Sequence, residues 1–214
     1  MKIACGLFCV AFCLSVGVPQ SRAASICNTN PANLVANCGF ETGDFTSWTL
    51  AGNDVPLSAG VLYGVEGVDP FDGISPHSGV DQAFIADLVS NSLTLSQTIA
   101  TVPTDVYTVS WYLAQDTPVA GTYSNALSAT FGATTLVSLK AVPVEGYTLY
   151  SYSVAATSAS TVLNLTLGND LGEFLLDDVS VVPAPTPEPS TWTLALAGVL
   201  VGVFLGKRVT RRIA

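Results

Sequence analysis

The chain has 214 residues, of which 49% are hydrophobic and only 11% are charged, a length that suits one ordinary domain with flanking segments. Between Ser25 and Ser190, a single basic residue, Lys140, stands against sixteen acidic residues, which gives this stretch a formal net charge of −15. Such a surface repels phosphate backbones, so nucleic acid is excluded as a partner, and it offers carboxylates to a hard cation.

The N-terminus has the pattern of a secretory signal peptide. Lys2 precedes an apolar run from Ile3 to Val18, and Ser21-Arg22-Ala23 places small residues at the −3 and −1 positions of a cleavage site. We therefore expect residues 1–24 to direct export through the inner membrane and then to be removed. A lipoprotein signal is the alternative, but the leader cysteines lie too early or inside the apolar run.

Two cysteines, Cys27 and Cys38, remain after the leader. An even pair in an oxidising compartment predicts one disulfide that holds the N-terminal segment. Two free thiols are the alternative. A metal site is less favoured, because the neighbourhood offers no further sulfur or imidazole ligand.

Residues 25–182 have the pattern of short strands separated by turns, and they form the predicted domain. Apolar residues alternate with polar ones in several runs, and a last apolar run follows: residues 94–99, 107–113, 127–131, 150–154, 163–167 and 175–181. Glycine and proline lie between these runs, and no stretch shows a convincing helical period. Many short strands at fairly even spacing predict an all-β, two-sheet β-sandwich.

The two edges of this domain carry recognisable motifs. Residues 33–48 contain Asn37-Cys38-Gly39-Phe40-Glu41 followed by Trp48, and residues 174–181 end in Asp177-Asp178-Val179-Ser180. An N-x-G-F-E start and a D-D-V-S final strand resemble carbohydrate-binding modules of the galactose-binding-like jelly-roll type. The resemblance implies the fold and says little about a ligand.

The same resemblance implies a structural calcium ion near the first and last strands. Glu41 and Asp177 are the implied ligands, and Asp44 and Asp178 are second choices. Calcium takes six to eight oxygen ligands, so backbone carbonyls would complete the shell. Ordinary turn and edge carboxylates are the alternative. Because adjacent strand residues point to opposite faces, we expect at most one of the two aspartates to face a given site.

The predicted domain is short of residues that catalysis commonly uses. It has one histidine, one lysine and no arginine, and it lacks a nucleophile-elbow motif and a phosphate-binding glycine loop. His77 lies in a predicted loop, where we expect it to be solvated. A hydrolase that uses paired carboxylates stays open, because the sequence does not fix their separation. Among the aromatic residues, we expect Trp111 in the core and Tyr112 on the opposite face.

A proline-rich spacer follows the domain over residues 183–190. Prolines alternate there with small or polar residues, which favours an extended chain, and the spacer includes the triplet Pro187, Glu188 and Pro189. Residues 191–214 then contain an apolar run from Thr193 to Gly206. The run ends in a basic tip: Lys207, Arg208, Arg211 and Arg212. We predict one C-terminal transmembrane helix whose basic tip stays in the cytoplasm.

A Pro-Glu-Pro triplet, a short apolar helix and an arginine-rich tip, in this order, resemble the PEP-CTERM sorting signal. The resemblance implies an exosortase-type processing enzyme and the membrane as partners. It also implies transient anchoring before the protein reaches the cell surface or the extracellular space. A plain anchor that is never cut is the alternative, but such an anchor has no need of the triplet.

Together these patterns predict an exported, exosortase-sorted protein of the cell surface or extracellular matrix, which is not an enzyme and binds extracellular polysaccharide. A secreted polysaccharide hydrolase and a purely structural matrix protein without a ligand are the alternatives.

Overall fold

The structure, a computed structural model, describes residues 24–52, 63–86, 92–116, 124–170 and 172–185. These residues form one short helix, α1 (Ile26–Thr29), and ten strands. The strands are β1 (Thr49–Ala51), β2 (Tyr63–Glu66), β3 (Gln82–Ile85), β4 (Leu93–Ala100), β5 (Val106–Gln115), β6 (Asn125–Phe131), β7 (Thr134–Lys140), β8 (Thr148–Ala155), β9 (Ser160–Asn169) and β10 (Phe174–Pro183).

The strands form two antiparallel sheets of five strands each. The first sheet has the order β1-β4-β9-β6-β7 and the second has the order β2-β3-β10-β5-β8. The predicted all-β, two-sheet sandwich is therefore confirmed. The last strand, β10, lies at the centre of the second sheet, where it pairs with β3 and β5.

The core lies between the two sheets, where the alternating apolar residues of each strand meet. On β9, Leu163, Leu165 and Leu167 are fully buried, whereas Asn164 between them is partly exposed. Trp111 of β5 is also fully buried, as its alternation with core residues predicts. Burial of this kind removes large apolar areas from water and is the main stabilising term of the sandwich.

The N-terminal segment lies along β10. The Leu34 N–H donates to the Val181 carbonyl at 2.9 Å, and the Val179 N–H donates to the Cys38 carbonyl at 2.9 Å. The predicted disulfide between Cys27 and Cys38 is confirmed. The first and last segments of the domain are thus neighbours, held by backbone hydrogen bonds, while the disulfide closes a loop within the N-terminal segment.

The residues of the N-terminal motif have packing roles. Phe40 is fully buried and stacks on Trp48 at a ring-centroid distance of 5.8 Å. A Cβ on Gly39 would lie 2.5 Å from the Cβ of the buried Ser25, so only glycine fits there. The motif therefore serves to pack the N-terminal segment against the sandwich, which explains why it indicates a fold rather than a ligand.

Several predicted features lie outside the described residues. These are the signal peptide, the sorting triplet, the apolar run and the basic tip. Within the described ranges, no helix is both long enough and apolar enough to cross a membrane.

Candidate functional site

A bulge in β10 places two carboxylates side by side. The register of β10 with β5 shifts between Asp177 and Ser180, and Asp178 has a φ of 50°. As a result, both carboxylates reach one loop residue: the Ser78 N–H donates to Asp177 Oδ2 at 3.0 Å, and Ser78 Oγ donates to Asp178 Oδ2 at 2.7 Å. The expectation that at most one of them faces a given site is wrong, because the bulge breaks the strand alternation.

Asp178 joins three segments of the chain. Besides Ser78, its carboxylate accepts the Cys27 N–H at 3.2 Å and lies 2.7 Å from His77 Nδ1. His77 is 24% exposed and stacks on Tyr112 with a ring-centroid distance of 3.4 Å. The expectation of a solvated histidine is therefore wrong, since the loop folds back over the outer face of the second sheet.

Glu41 holds the same loop from the other side. Its Oε1 accepts the N–H groups of Val80 and Asp81 at 3.0 and 3.3 Å. Gly79 has a φ of 72°, and a Cβ on it would overlap Glu41 Oε1. The Glu41 carboxylate is thus packed directly against the loop backbone.

The charge of Glu41 acts on Asp177, the other predicted calcium ligand. Burial, followed by the charge of Asp178 and a smaller contribution from Glu41, raises the pKa of Asp177 to about 8. The N–H groups of Ser78 and Asp178 oppose this shift. An ion between the two carboxylates would favour their charged forms, but a calcium site at Glu41 and Asp177 stays a prediction.

A second group of carboxylates lies at the end of β2. Glu66 ends β2, Asp69 lies in the following loop and Glu173 precedes β10, and their candidate ligand atoms all lie within 4.8 Å of one another. Burial and the charge of Asp69 raise the pKa of Glu66 to about 7. Burial and the charges of Glu66 and Asp69 raise the pKa of Glu173 to about 8. This group was not predicted from the sequence, because residues so far apart in the chain give no motif.

A groove lies on the outer face of the second sheet. Its volume is about 250 Å³, and it combines an aromatic ring and aliphatic side chains with hydroxyl, amide and carboxylate groups. The lining residues are Ile26, Cys27, Asn30, Ser110, Tyr112, Leu149, Asp178 and Ser180. The expectation that Tyr112 lies on the face opposite the core is confirmed. A sugar ring has an apolar face and hydroxyl edges, and this mixed lining provides contacts for both.

The tail of the chain matches a known motif. Residues 185–212 match the PEP-CTERM protein-sorting motif. This match confirms the recognition made from the triplet at residues 187–189 and the basic tip, and it indicates an exported chain. No curated protein matches the chain.

The sandwich is similar to several solved structures. One is the structure of TmCBM61 in complex with β-1,4-galactotriose, which is 20% identical to this chain in sequence and has a TM-score of 0.50. The match covers 71% of this chain and 99% of the TmCBM61 chain. The enzymatically active domain of bacteriophage CBA120 tailspike protein 4 is 14% identical, also with a TM-score of 0.50, over 72% of this chain and 22% of that one. The CBM22-1 xylan-binding domain of Paenibacillus barcinonensis Xyn10C is 16% identical in sequence and has a TM-score of 0.46. The match covers 69% of this chain and 92% of that domain. At these identities, the first two likenesses show a shared fold and nothing finer.

Proposed function

We propose that this chain is a surface or matrix protein that an exosortase processes at its tail, and that its sandwich domain binds extracellular polysaccharide without cleaving it. The match of residues 185–212 to the sorting motif supports the first part. The groove around Tyr112 carries the second part, because it offers the edge of an aromatic ring and aliphatic side chains beside hydrogen-bonding groups, next to the loop that covers part of this sheet face.

The fold adds support for binding to a glycan. TmCBM61, which shares this fold, is a carbohydrate-binding module solved with β-1,4-galactotriose. In our chain, the groove lies on the outer face of β5, β8 and β10, where Tyr112, Leu149 and Ser180 are set by three adjacent strands. Side chains on a rigid sheet give a sugar a pre-formed surface and lower the entropy cost of binding.

The buried carboxylates argue against hydrolysis. Asp69 and Glu173 are only 1% and 5% exposed, and their ligand atoms lie within 4.8 Å of each other. Glycosidases place two carboxyl groups on either side of a bound sugar, about 5–5.5 Å or 6.5–9.5 Å apart. Because Asp69 and Glu173 are both buried, a polysaccharide chain has no access to the space between them.

Affinity electrophoresis of the full chain tests the proposal. Detergent-solubilised protein is run in native gels that contain β-1,4-galactan, xylan or the exopolysaccharide of the producing cells. We expect at least one polysaccharide to retard the wild type, and Tyr112→Ala and Leu149→Ser to remove that retardation. Thermal melting of each variant checks that the fold is intact.

Phe71→Ala is the matched control, because Phe71 is 80% exposed on a different loop. Its retardation should equal that of the wild type. If Phe71→Ala abolishes retardation while Tyr112→Ala does not, the groove is the wrong site. If no polysaccharide retards the wild type, the chain is a structural matrix protein instead. Release of reducing sugar from any of the polysaccharides would overturn the non-catalytic part.

A further inference from the structure

The acidic cluster, defined as Glu66, Asp69 and Glu173, brings three carboxyl groups together, with candidate ligand atoms that all lie within 4.8 Å of one another. The charges of Asp69 and Asp72 also act on Asp116, whose Oδ1 accepts the Glu173 N–H at 2.6 Å. Five carboxyl groups therefore lie in one neighbourhood. Like charges at such separations in a partly buried place repel each other strongly.

The sequence offers no basic side chain to this cluster. Lys140 is the one basic residue between Ser25 and Ser190, and it is exposed at the end of β7, in the other sheet. His77 is held by Asp178. A neutralising positive charge must therefore come from solution, as a proton or as a metal ion.

Unused oxygen atoms in the cluster point to the metal ion. Glu66 Oε1 and Glu173 Oε1 are buried and have no hydrogen-bond partner among the described residues. Glu173 as a whole is only 5% exposed. Leaving a buried carboxylate oxygen unpartnered is costly, so such atoms in a native structure call for a partner such as a water molecule or a bound ion.

Asn169 gives an independent indication at the border of the cluster. It is fully buried, and within the part of the chain that the structure describes neither of its side-chain amide atoms has a partner. A Cβ on Gly172 would lie 2.5 Å from Asp116 Oδ1 and 3.4 Å from Asn169 Nδ2, so both side chains approach the residue that precedes Glu173. Its Oδ1 is a neutral oxygen of the kind that completes cation shells.

We propose that Glu66, Asp69 and Glu173 bind one calcium ion, with Asn169 and Asp116 at the border of the site. The donor atoms are all oxygen, which suits a hard cation and disfavours zinc or copper. Calcium accepts a flexible arrangement of carboxylate and amide oxygens, whereas magnesium demands a near-ideal octahedron, so we assign the site to calcium. This site is distinct from Glu41 and Asp177, which hold the loop of residues 77–81.

The ion would also fix the loop that follows β2. The Asp69 carboxylate accepts the N–H groups of Phe71 and Asp72 at 2.7 and 3.2 Å, and the Asp69 N–H donates to the Ile74 carbonyl at 2.9 Å. The loop thus folds around one ligand residue. A cation at Asp69 ties this loop to β2 and to the start of β10.

Calcium stoichiometry and thermal melting of the full chain test the site. The protein is purified from a host without the processing enzyme, stripped with EDTA and equilibrated with CaCl₂. We expect Glu66→Gln and Glu173→Gln to bind one calcium ion fewer than the wild type, or to bind that ion at least about ten-fold more weakly, from a starting dissociation constant of about 10⁻⁴–10⁻³ M. Glu145→Gln, an exposed site with the same change of charge, should bind as many ions as the wild type.

Melting in EDTA separates a cation site from an ordinary structural contact. In CaCl₂ the wild type should melt above Glu173→Gln, whereas in EDTA the order should be equal or reversed, because the variant has lost one of several repelling carboxylates. Equal stoichiometry together with equal affinity in the wild type and both cluster variants would overturn the proposal. The proposal would also be overturned if the variants melted below the wild type by equal amounts in CaCl₂ and in EDTA.

Discussion

Gly79 gives a sharp test of how the Glu41 carboxylate is held. Gly79→Ala has two separate costs. The residue has a φ of 72°, where an L-residue costs about 1–2 kcal/mol. The new Cβ would also overlap Glu41 Oε1, so the carboxylate must leave the N–H groups of Val80 and Asp81. Losing hydrogen bonds to a charged group costs about 1.5–3 kcal/mol.

The two costs together predict a loss of about 2.5–5 kcal/mol. For a domain of this size, 1 kcal/mol corresponds to about 2–4 °C in Tm, so Gly79→Ala should lower Tm by about 5–20 °C. Gly73→Ala is the matched control, because Gly73 also has a φ of 72° but a Cβ there would meet nothing within 4 Å. This control should lose only the backbone part, about 2–8 °C.

The assay is thermal unfolding by circular dichroism in EDTA, which removes any contribution of bound metal. The two glycine substitutions are then repeated in a Glu41→Ala background, where the overlap with the Glu41 carboxylate no longer exists. There, Gly79→Ala should cost no more than Gly73→Ala. Equal losses for the two glycine variants in the wild-type background would refute the placement of the Glu41 carboxylate under the loop.

Three other predictions follow from the termini and the β10 bulge. Alkylation of the secreted protein before reduction should label neither Cys27 nor Cys38. Reduction should lower the free energy of unfolding by about 3 kcal/mol or less. Labelling of both thiols in mass spectra would contradict the disulfide. If Glu41 and Asp177 bind calcium, chelation should lower the Tm of the wild type more than that of Glu41→Ala, which keeps only the acidic cluster, and equal Tm shifts would exclude the site at Glu41. Replacing residues 187–189 with alanines should leave the chain uncut in the membrane, whereas the wild type should lose its basic tip; mass spectra of wild-type surface protein that retain the tip would mean a plain anchor.

Features that depend on a local pattern of residues could be predicted from the sequence alone. Alternation of apolar and polar residues predicted strands such as 94–99 and 163–167, because a strand turns every second side chain to the core. An even pair of cysteines left only one internal pairing, Cys27 with Cys38. The sorting motif was likewise readable because its triplet, apolar run and basic tip are contiguous in the chain.

Features that depend on long-range packing and on irregular backbone could be seen only in the tertiary structure. The sequence could not show that β10 bulges, and this bulge is what brings Asp177 and Asp178 to the same loop. His77 was expected to be solvated because a neighbour about a hundred residues away leaves no local signal. The acidic cluster depends on the ends of β2 and β10 meeting near one loop, and only folding brings Glu66 within 4.8 Å of Glu173. Periodicity fixes which face a residue occupies, but the identity of its neighbours on that face comes from strand order, which one sequence does not encode locally.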